Sequence, residues 1–213
     1  MRTPHPLPDR IPLFPLPGAL LLPRARLPLQ IFEPRYLQML EDTLKSGHRM
    51  IGMIQPHEDG LAAIGCAGRV VAFSETDNNR MLIQLRAVSR FRLVEAEEGF
   101  QPYLTGRVDW AGFGVDLGGT ETDPEFQRGP FLERLRRFMD ARELSTDWEN
   151  AGAAETETLI NSLSMLLPLD HEEKQALLEA PTLTERRAHL DGLNEYPLRS
   201  GEDEEIVNFS TTT

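Results

Sequence analysis

The sequence predicts an α+β chain in which a β-rich N-terminal half, crossed by one helix, is followed by a helical bundle. Two observations carry that prediction. From about residue 10 to 110, short apolar runs alternate with Gly, Pro and Asn, the punctuation of strands joined by turns. Beyond residue 124 the apolar spacing lengthens from two residues to the about 3.6 of a helix. The expected division is a β-rich lobe over 10–110, a linker over 111–124, a bundle over 125–196 and an acidic, flexible tail over 197–213.

Strands are predicted at 11–16, 19–22, 50–55, 69–73, 81–88, 90–95 and 103–110. In the last of these Leu104, Val108 and Trp110 share one face, while Tyr103, Arg107 and Asp109 share the other. Pro12 and Pro15 have no N–H to give a ladder, so the first strand is expected at a sheet edge. A helix is predicted from Glu33, with Pro34 at its first position and Gly47 ending it. Tyr36, Leu37, Leu40 and Leu44 form its apolar stripe with Met39 alongside, the pattern of a lid laid over strands.

Residues 111–124, AGFGVDLGGTETDP, have no apolar period and are read as a flexible linker. After them Phe131, Leu132, Leu135, Phe138 and Met139 form one helical stripe, and Leu159, Ile160, Leu163, Leu166 and Leu167 form a second. Asp170 with Glu173, and Thr182 with Glu185, have the spacing of reciprocal capping boxes and start two further helices. A four-helix array follows.

The net charge of −12 disfavours nucleic acid and anionic membrane as partners. The single cysteine, Cys66, excludes an internal disulfide and fits a reducing compartment, so a cytoplasmic location is expected. The apolar segment 11–22 is broken by Pro12, Pro15 and Pro17, and no run reaches the roughly 18 to 20 apolar residues that a bilayer requires.

Motifs for chemistry are incomplete. His171-Glu172 opens H-E-x-x-H, but Gln175 stands where the second imidazole belongs. His57, Glu58 and Asp59 adjoin Gly60 in a predicted turn, and His5, His48 and His189 have no ligand-spaced neighbours; no metal or cofactor is expected. Gly112 and Gly114 begin a dinucleotide spacing that fails at Leu117. Neither lysine follows a glycine as a phosphate loop demands, and G-x-S-x-G is absent. Cys66 reads as a small packed residue.

The stretch 11–36, IPLFPLPGALLLPRARLPLQIFEPRY, resembles the opening signature of the N-terminal, substrate-binding domain family of the ATP-dependent Lon proteases. The similarity continues at Arg90 to Arg92 (RFR), at Gln101 to Tyr103 and at EEKQALLE from Glu172, and spans roughly residues 10–195. This sequence departs from the family at Asp77-Asn78-Asn79-Arg80, where a DGR-like turn is common, and at Ala87, where glycine is usual. The resemblance implies a PUA-like pseudobarrel followed by a helical bundle. Neither the ATPase nor the Ser–Lys protease module occurs in these 213 residues, so it implies recognition without hydrolysis.

Signature positions Phe14, Pro15, Pro28, Leu29, Ile31, Phe32, Glu33, Arg35 and Tyr36 have two readings. In the structural one Phe32 and Tyr36 are core, Pro28 and Pro34 shape a turn and a helix start, and Glu33 with Arg35 forms a cap or ion pair. In the functional one Phe14, Pro15, Pro28, Leu29, Phe32, Glu33, Arg35 and Tyr36 bind polypeptide. Expected partners are unfolded or flexible polypeptides, held in an apolar groove or along the edge strand at 11–16. A second reading is an adaptor docking on an ATP-dependent protease or chaperone. A third is RNA binding through Arg80, Arg86, Arg90, Arg92 and Arg107.

Overall fold

Strand β1 (Arg10–Pro15) separates two apolar clusters, because Ile11 and Leu13 enter one and Phe14 the other. The computed structural model describes residues 7–76 and 80–193. The expected tail at 197–213, the turn at Asp77–Asn79 and His5 lie outside the described residues. After β1 come β2 (Arg26–Ile31), α1 (Pro34–Lys45), β3 (Met50–Ile54), the hairpin β4 (Pro56–His57) and β5 (Gly60–Leu61), β6 (Ile64–Thr76), β7 (Arg80–Glu97) and β8 (Thr105–Asp109). The main sheet runs β2-β7-β6-β3-β1-β8, and β8 pairs in turn with β7. Five strands thus close a ring, with β2 attached outside it.

Two strand expectations are corrected. Residues 81–88 and 90–95 belong to the single strand β7, which passes through Ser89 without a turn. Residues 19–22 form no strand: Leu20, Leu21 and Leu22 are buried in an irregular segment bounded by positive φ at Gly18 and Arg24, and the strand lies at β2 instead.

The expected edge position of β1 is also overturned, since β1 lies between β3 and β8. Its prolines are tolerated because the two partners cover different halves. Antiparallel β8 pairs with Arg10 to Pro12, and parallel β3 pairs with Leu13 to Pro15. The Leu13 N–H donates to Leu104 O on the β8 side, and the Leu16 N–H donates to Ile54 O on the β3 side. By alternation Pro12 would donate toward β3 before that ladder begins, and Pro15 toward β8 after that ladder has ended.

The ring interior is filled by Ile11, Leu13, Met50, Ile54, Ala67, Phe91 and Val108. Glycines make room for the largest of these. A Cβ on Gly65 would stand 2.5 Å from Phe91 Cζ and 2.6 Å from Met53 O, and one on Gly106 would stand 2.9 Å from both methyls of Leu13. The outer wall packs on α1 through Phe14, Tyr36, Met39 and Leu40. Tyr103 donates from its hydroxyl to Asp42 Oδ2 at 2.9 Å, and burial together with that bond pushes its pKa up to about 12.

The chain then continues through a 3-10 turn (Gly114–Leu117), α2 (Arg128–Ala141), α3 (Trp148–Ala153), α4 (Thr156–Leu166), α5 (His171–Glu179) and α6 (Leu183–Leu193). This is α+β architecture. The short α3, capped by Asp147, adds a helix to the four expected. Both capping boxes form: Asp170 and Glu173 exchange bonds, as do Thr182 and Glu185. Leu166, expected on the buried stripe of α4, is 76% exposed, because the helix ends there and Leu167 turns inward.

Residues 111–124, expected as a flexible linker, are held by three carboxylates. Asp116, buried in the 3-10 turn, accepts from Arg90 Nε at 3.0 Å and Nη2 at 2.9 Å. The same guanidinium donates to Ala180 O at 2.7 Å beyond α5. Glu121 accepts from Arg24 and from the Leu183 N–H, and Asp123 accepts from Arg187. One apolar cluster accordingly runs from Phe14 to Leu190 through both halves.

Two substitutions test this packing. Gly65→Ala is expected to destabilise by about 2 to 4 kcal/mol through overpacking against Phe91 and a backbone carbonyl, while Gly47→Ala, facing open space, stays within about 1 kcal/mol, both measured by urea unfolding. Asp116→Ala is expected to cost about 3 to 5 kcal/mol, because it strands the buried Arg90 guanidinium.

Candidate polypeptide-binding face

Strands β6 and β7 are longer than the ring requires. β3 pairs with β6 only over Cys66 to Arg69, and β8 pairs with β7 only from Arg92 onward. The rest of β6 and β7, with β2 alongside, forms a three-stranded ribbon running past the mouth of the ring. One face of the ribbon is core, through Leu27, Leu29, Ile31, Ile83 and Leu85. The opposite face continues the interior face of the ring, since Ala67 lies inside and Arg69 follows it by one period of alternation. Beyond the mouth that face meets solvent.

Register places the exposed face in rows. Arg86 of β7 is paired with Arg69 on one side and Arg26 on the other; Gln84 with Ala72 and Pro28; Leu82 with Ser74 and Gln30. At the tip Arg80 stands opposite Thr76, and its guanidinium lies 5.5 Å from the ring centroid of Phe32. Phe32 is 58% exposed and Leu82 45% exposed. Adjacent arginines in one cross-strand row repel, and no described carboxylate forms an ion pair with Arg26, Arg69, Arg80 or Arg86. Their polar contacts are to neutral amides: Arg26 donates to Gln84 Oε1 and Arg80 to Gln30 Oε1, each at 3.3 Å. The Nε of Arg69 is buried with no partner among the described residues.

The outer edge of β2 pairs with no described strand. The Ala87 N–H donates to Ala25 O, so by alternation Leu27, Leu29 and Ile31 bond toward β7, and Arg26, Pro28 and Gln30 direct their backbone groups outward. Pro28 removes one donor from that edge.

His48 stands near the mouth. Its Nδ1 accepts from the Met50 N–H at 3.0 Å, which requires that nitrogen to be unprotonated. Burial, and then the positive charge of Arg69, lower its pKa.

The eight sequence-derived binding candidates divide. Phe14 and Tyr36 are core, with ring centroids 4.3 Å apart, and Leu29 is core too. Pro15 is half-buried at the end of β1. Glu33 precedes α1 and pairs with Arg35, whose guanidinium also lies over the Tyr36 ring. Only Pro28 and Phe32 share the exposed face, so Phe32 is not core and Pro28 is a strand residue rather than a turn residue. Arg26, Arg69 and Leu82 were missed as site residues, and Arg86 was considered for RNA alone, although the alternation of RLPLQIF already sets Arg26, Pro28, Gln30 and Phe32 on one side.

Of the arginines considered for RNA, Arg90 is buried on Asp116, Arg107 pairs with Glu95, and Arg92 is exposed where β7 lies between Ile64 and Asp109, so that Arg80 and Arg86 are the two on this face. An open cleft beside Phe126, Pro130 and Phe131 is bordered by Arg134 and Arg187, both bonded to Asp191. Cys66 is buried, and its thiol pKa is raised by burial. His57 lies in the exposed β4–β5 hairpin.

Over residues 10–190 the chain matches the profile of the ATP-dependent protease La (LON) substrate-binding domain. The chain belongs to that family. Among solved structures, this LON substrate-binding domain is similar to a Lon N-terminal domain protein from Xanthomonas campestris, with TM-score 0.62, 26% identity, and 88% of this chain and 99% of that chain covered. The fold also matches the N-terminal domain of a Mycobacterium avium complex Lon protease, with TM-score 0.65, 16% identity, and 89% and 100% of the chains covered. Curated relatives include Lon protease 2 of Sorangium cellulosum, 27% identical over 114 residues that make 50% of this chain and 14% of that protein. Lon protease 1 of Bdellovibrio bacteriovorus is 22% identical over 209 residues, 89% of this chain and 25% of that protein. The LON substrate-binding domain thus spans at most a quarter of these relatives.

The mouth of the ring yields a pH prediction. A histidine whose folded pKa is depressed binds fewer protons folded than unfolded, so its contribution is present above the ordinary value near 6.5 and is lost as pH falls below it. His48 is expected to titrate below its ordinary value by NMR, and Arg69→Gln is expected to move it upward. A His48 midpoint unchanged by Arg69→Gln would refute this coupling.

Proposed function

We propose that the chain is a recognition module that captures extended segments of polypeptides bearing apolar side chains, and that it breaks no bonds itself. The observation that carries this reading is the outer edge of β2, which pairs with no strand among the described residues and lies beside a solvent-facing sheet surface that bears Phe32 and Leu82. Strand addition supplies affinity through backbone hydrogen bonds, which are independent of sequence, and alternate side chains of the guest fall on the Phe32 face. Exposed aromatic and aliphatic side chains supply the apolar contact that an unfolded segment offers and a folded surface conceals. The family description, a substrate-binding domain of an ATP-dependent protease, supports polypeptide as the ligand class. Pro28 on the same edge limits unwanted pairing between copies.

The test is titration with a reduced, carbamidomethylated model protein, followed by fluorescence anisotropy. Phe32→Ala and Leu82→Ala are each expected to weaken binding about 3- to 10-fold, with unfolding free energy changed by less than about 0.5 kcal/mol because both side chains are exposed. No binding at high micromolar concentration, or binding indifferent to both substitutions, would sink the proposal.

A further inference from the structure

The polypeptide reading leaves one feature of the ribbon unused, the arginine row Arg26–Arg86–Arg69 that stands two rows from Leu82. We infer that the guest segment is acidic as well as apolar, with a carboxylate level with Arg26 and an apolar residue level with Phe32 on the same face of an added strand. This rests on the polypeptide reading and narrows it to a substrate class.

The inference follows from charge and register. The row sets three arginines at neighbouring cross-strand positions without a described carboxylate paired to them, an arrangement that like-charge repulsion disfavours and that a bound anion relieves. The chain as a whole carries −12, so positive surface is scarce and its concentration here is local. A strand added to the outer edge of β2 would run beside Arg26, Pro28, Gln30 and Phe32 on the exposed face, with successive levels two residues apart. The carboxylate and the apolar side chain are therefore separated by an even number of residues, six if they flank Arg26 and Phe32. A second copy of this chain is a poor guest, because Pro28 removes a donor from both edges and an antiparallel β2-to-β2 pair sets the two arginine surfaces on one face.

The experiment compares two labelled heptapeptides, Glu-Thr-Leu-Thr-Val-Thr-Phe and the same sequence with Lys in place of Glu, by anisotropy at low and high salt. The acidic peptide is expected to bind about tenfold more tightly at low salt, with the ratio shrinking as salt rises. Arg26→Glu combined with Arg86→Glu, both exposed, is expected to invert the preference while leaving the circular dichroism spectrum unchanged. Equal binding of both peptides would overturn the acidic preference and leave the polypeptide reading standing. Binding of neither peptide by folded protein would overturn both. Tighter binding of oligouridylate than of the acidic peptide would reassign the row to nucleic acid and overturn the inference.

Discussion

Strand β7 is the constraint on which the rest of the structure depends. It runs for 18 residues, pairs along one edge with β6, and along the other pairs first with β2 and then with β8. Ring closure needs only its C-terminal part; the N-terminal part overshoots and becomes the middle of the ribbon. The register shift that skips Val88 moves the alternation of β7 by one residue, so the face that carries Phe91 in the ring carries Arg86, Gln84 and Leu82 in the ribbon. It is dry at Phe91 inside the ring and wet at Arg86, Gln84 and Leu82 outside it. Register shifts near Ala67 and near Leu93 bend the two walls where the ring must curve.

Arg90 sits on β7 at the passage from ring to ribbon, and its bonds run to Asp116 in the 3-10 turn and to carbonyls at the end of α5. A buried charge of this kind is tolerated only when all its donors are engaged, and five hydrogen bonds from the guanidinium meet that need. The consequence is geometric. The strand that carries the exposed face is fixed against the helices at one point, so the ribbon is presented at a set angle by the rest of the fold.

The sequence revealed the class of fold because alternation and helical spacing are local properties, and both half-chains display them without ambiguity. Helix α1, with Pro34 at its start, and the two capping boxes were legible for the same reason. What was not legible is non-local. Pro12 and Pro15 argue for an edge only if both neighbours span the whole strand, and here β3 and β8 share it. The Gly- and Asp-rich segment reads as loose chain until Arg90, Arg24 and Arg187 are known to meet its carboxylates from distant positions. Of the site, Pro28 and Phe32 were visible within the family signature, but the signature mixes core and surface. Phe14 and Tyr36 are retained by packing, and pairing between β2, β7 and β6 is needed before Arg26, Arg69 and Arg86 can be seen as neighbours.

The size of the face bears on what it can hold. Three strands about 4.8 Å apart and four rows about 6.8 Å apart make a surface of roughly 14 by 20 Å. An extended segment of about six or seven residues fills it. Charge beyond about 8 Å is screened at physiological salt, so a short acidic segment responds to the arginine row alone and not to the net charge of the chain. A long polyanion cannot do the same: it outruns the ribbon and must lie against a surface that is negative on average. The same arginine row therefore favours a brief acidic stretch of polypeptide over a nucleic-acid strand, and the outer edge of β2 supplies the backbone partners that only a polypeptide can use.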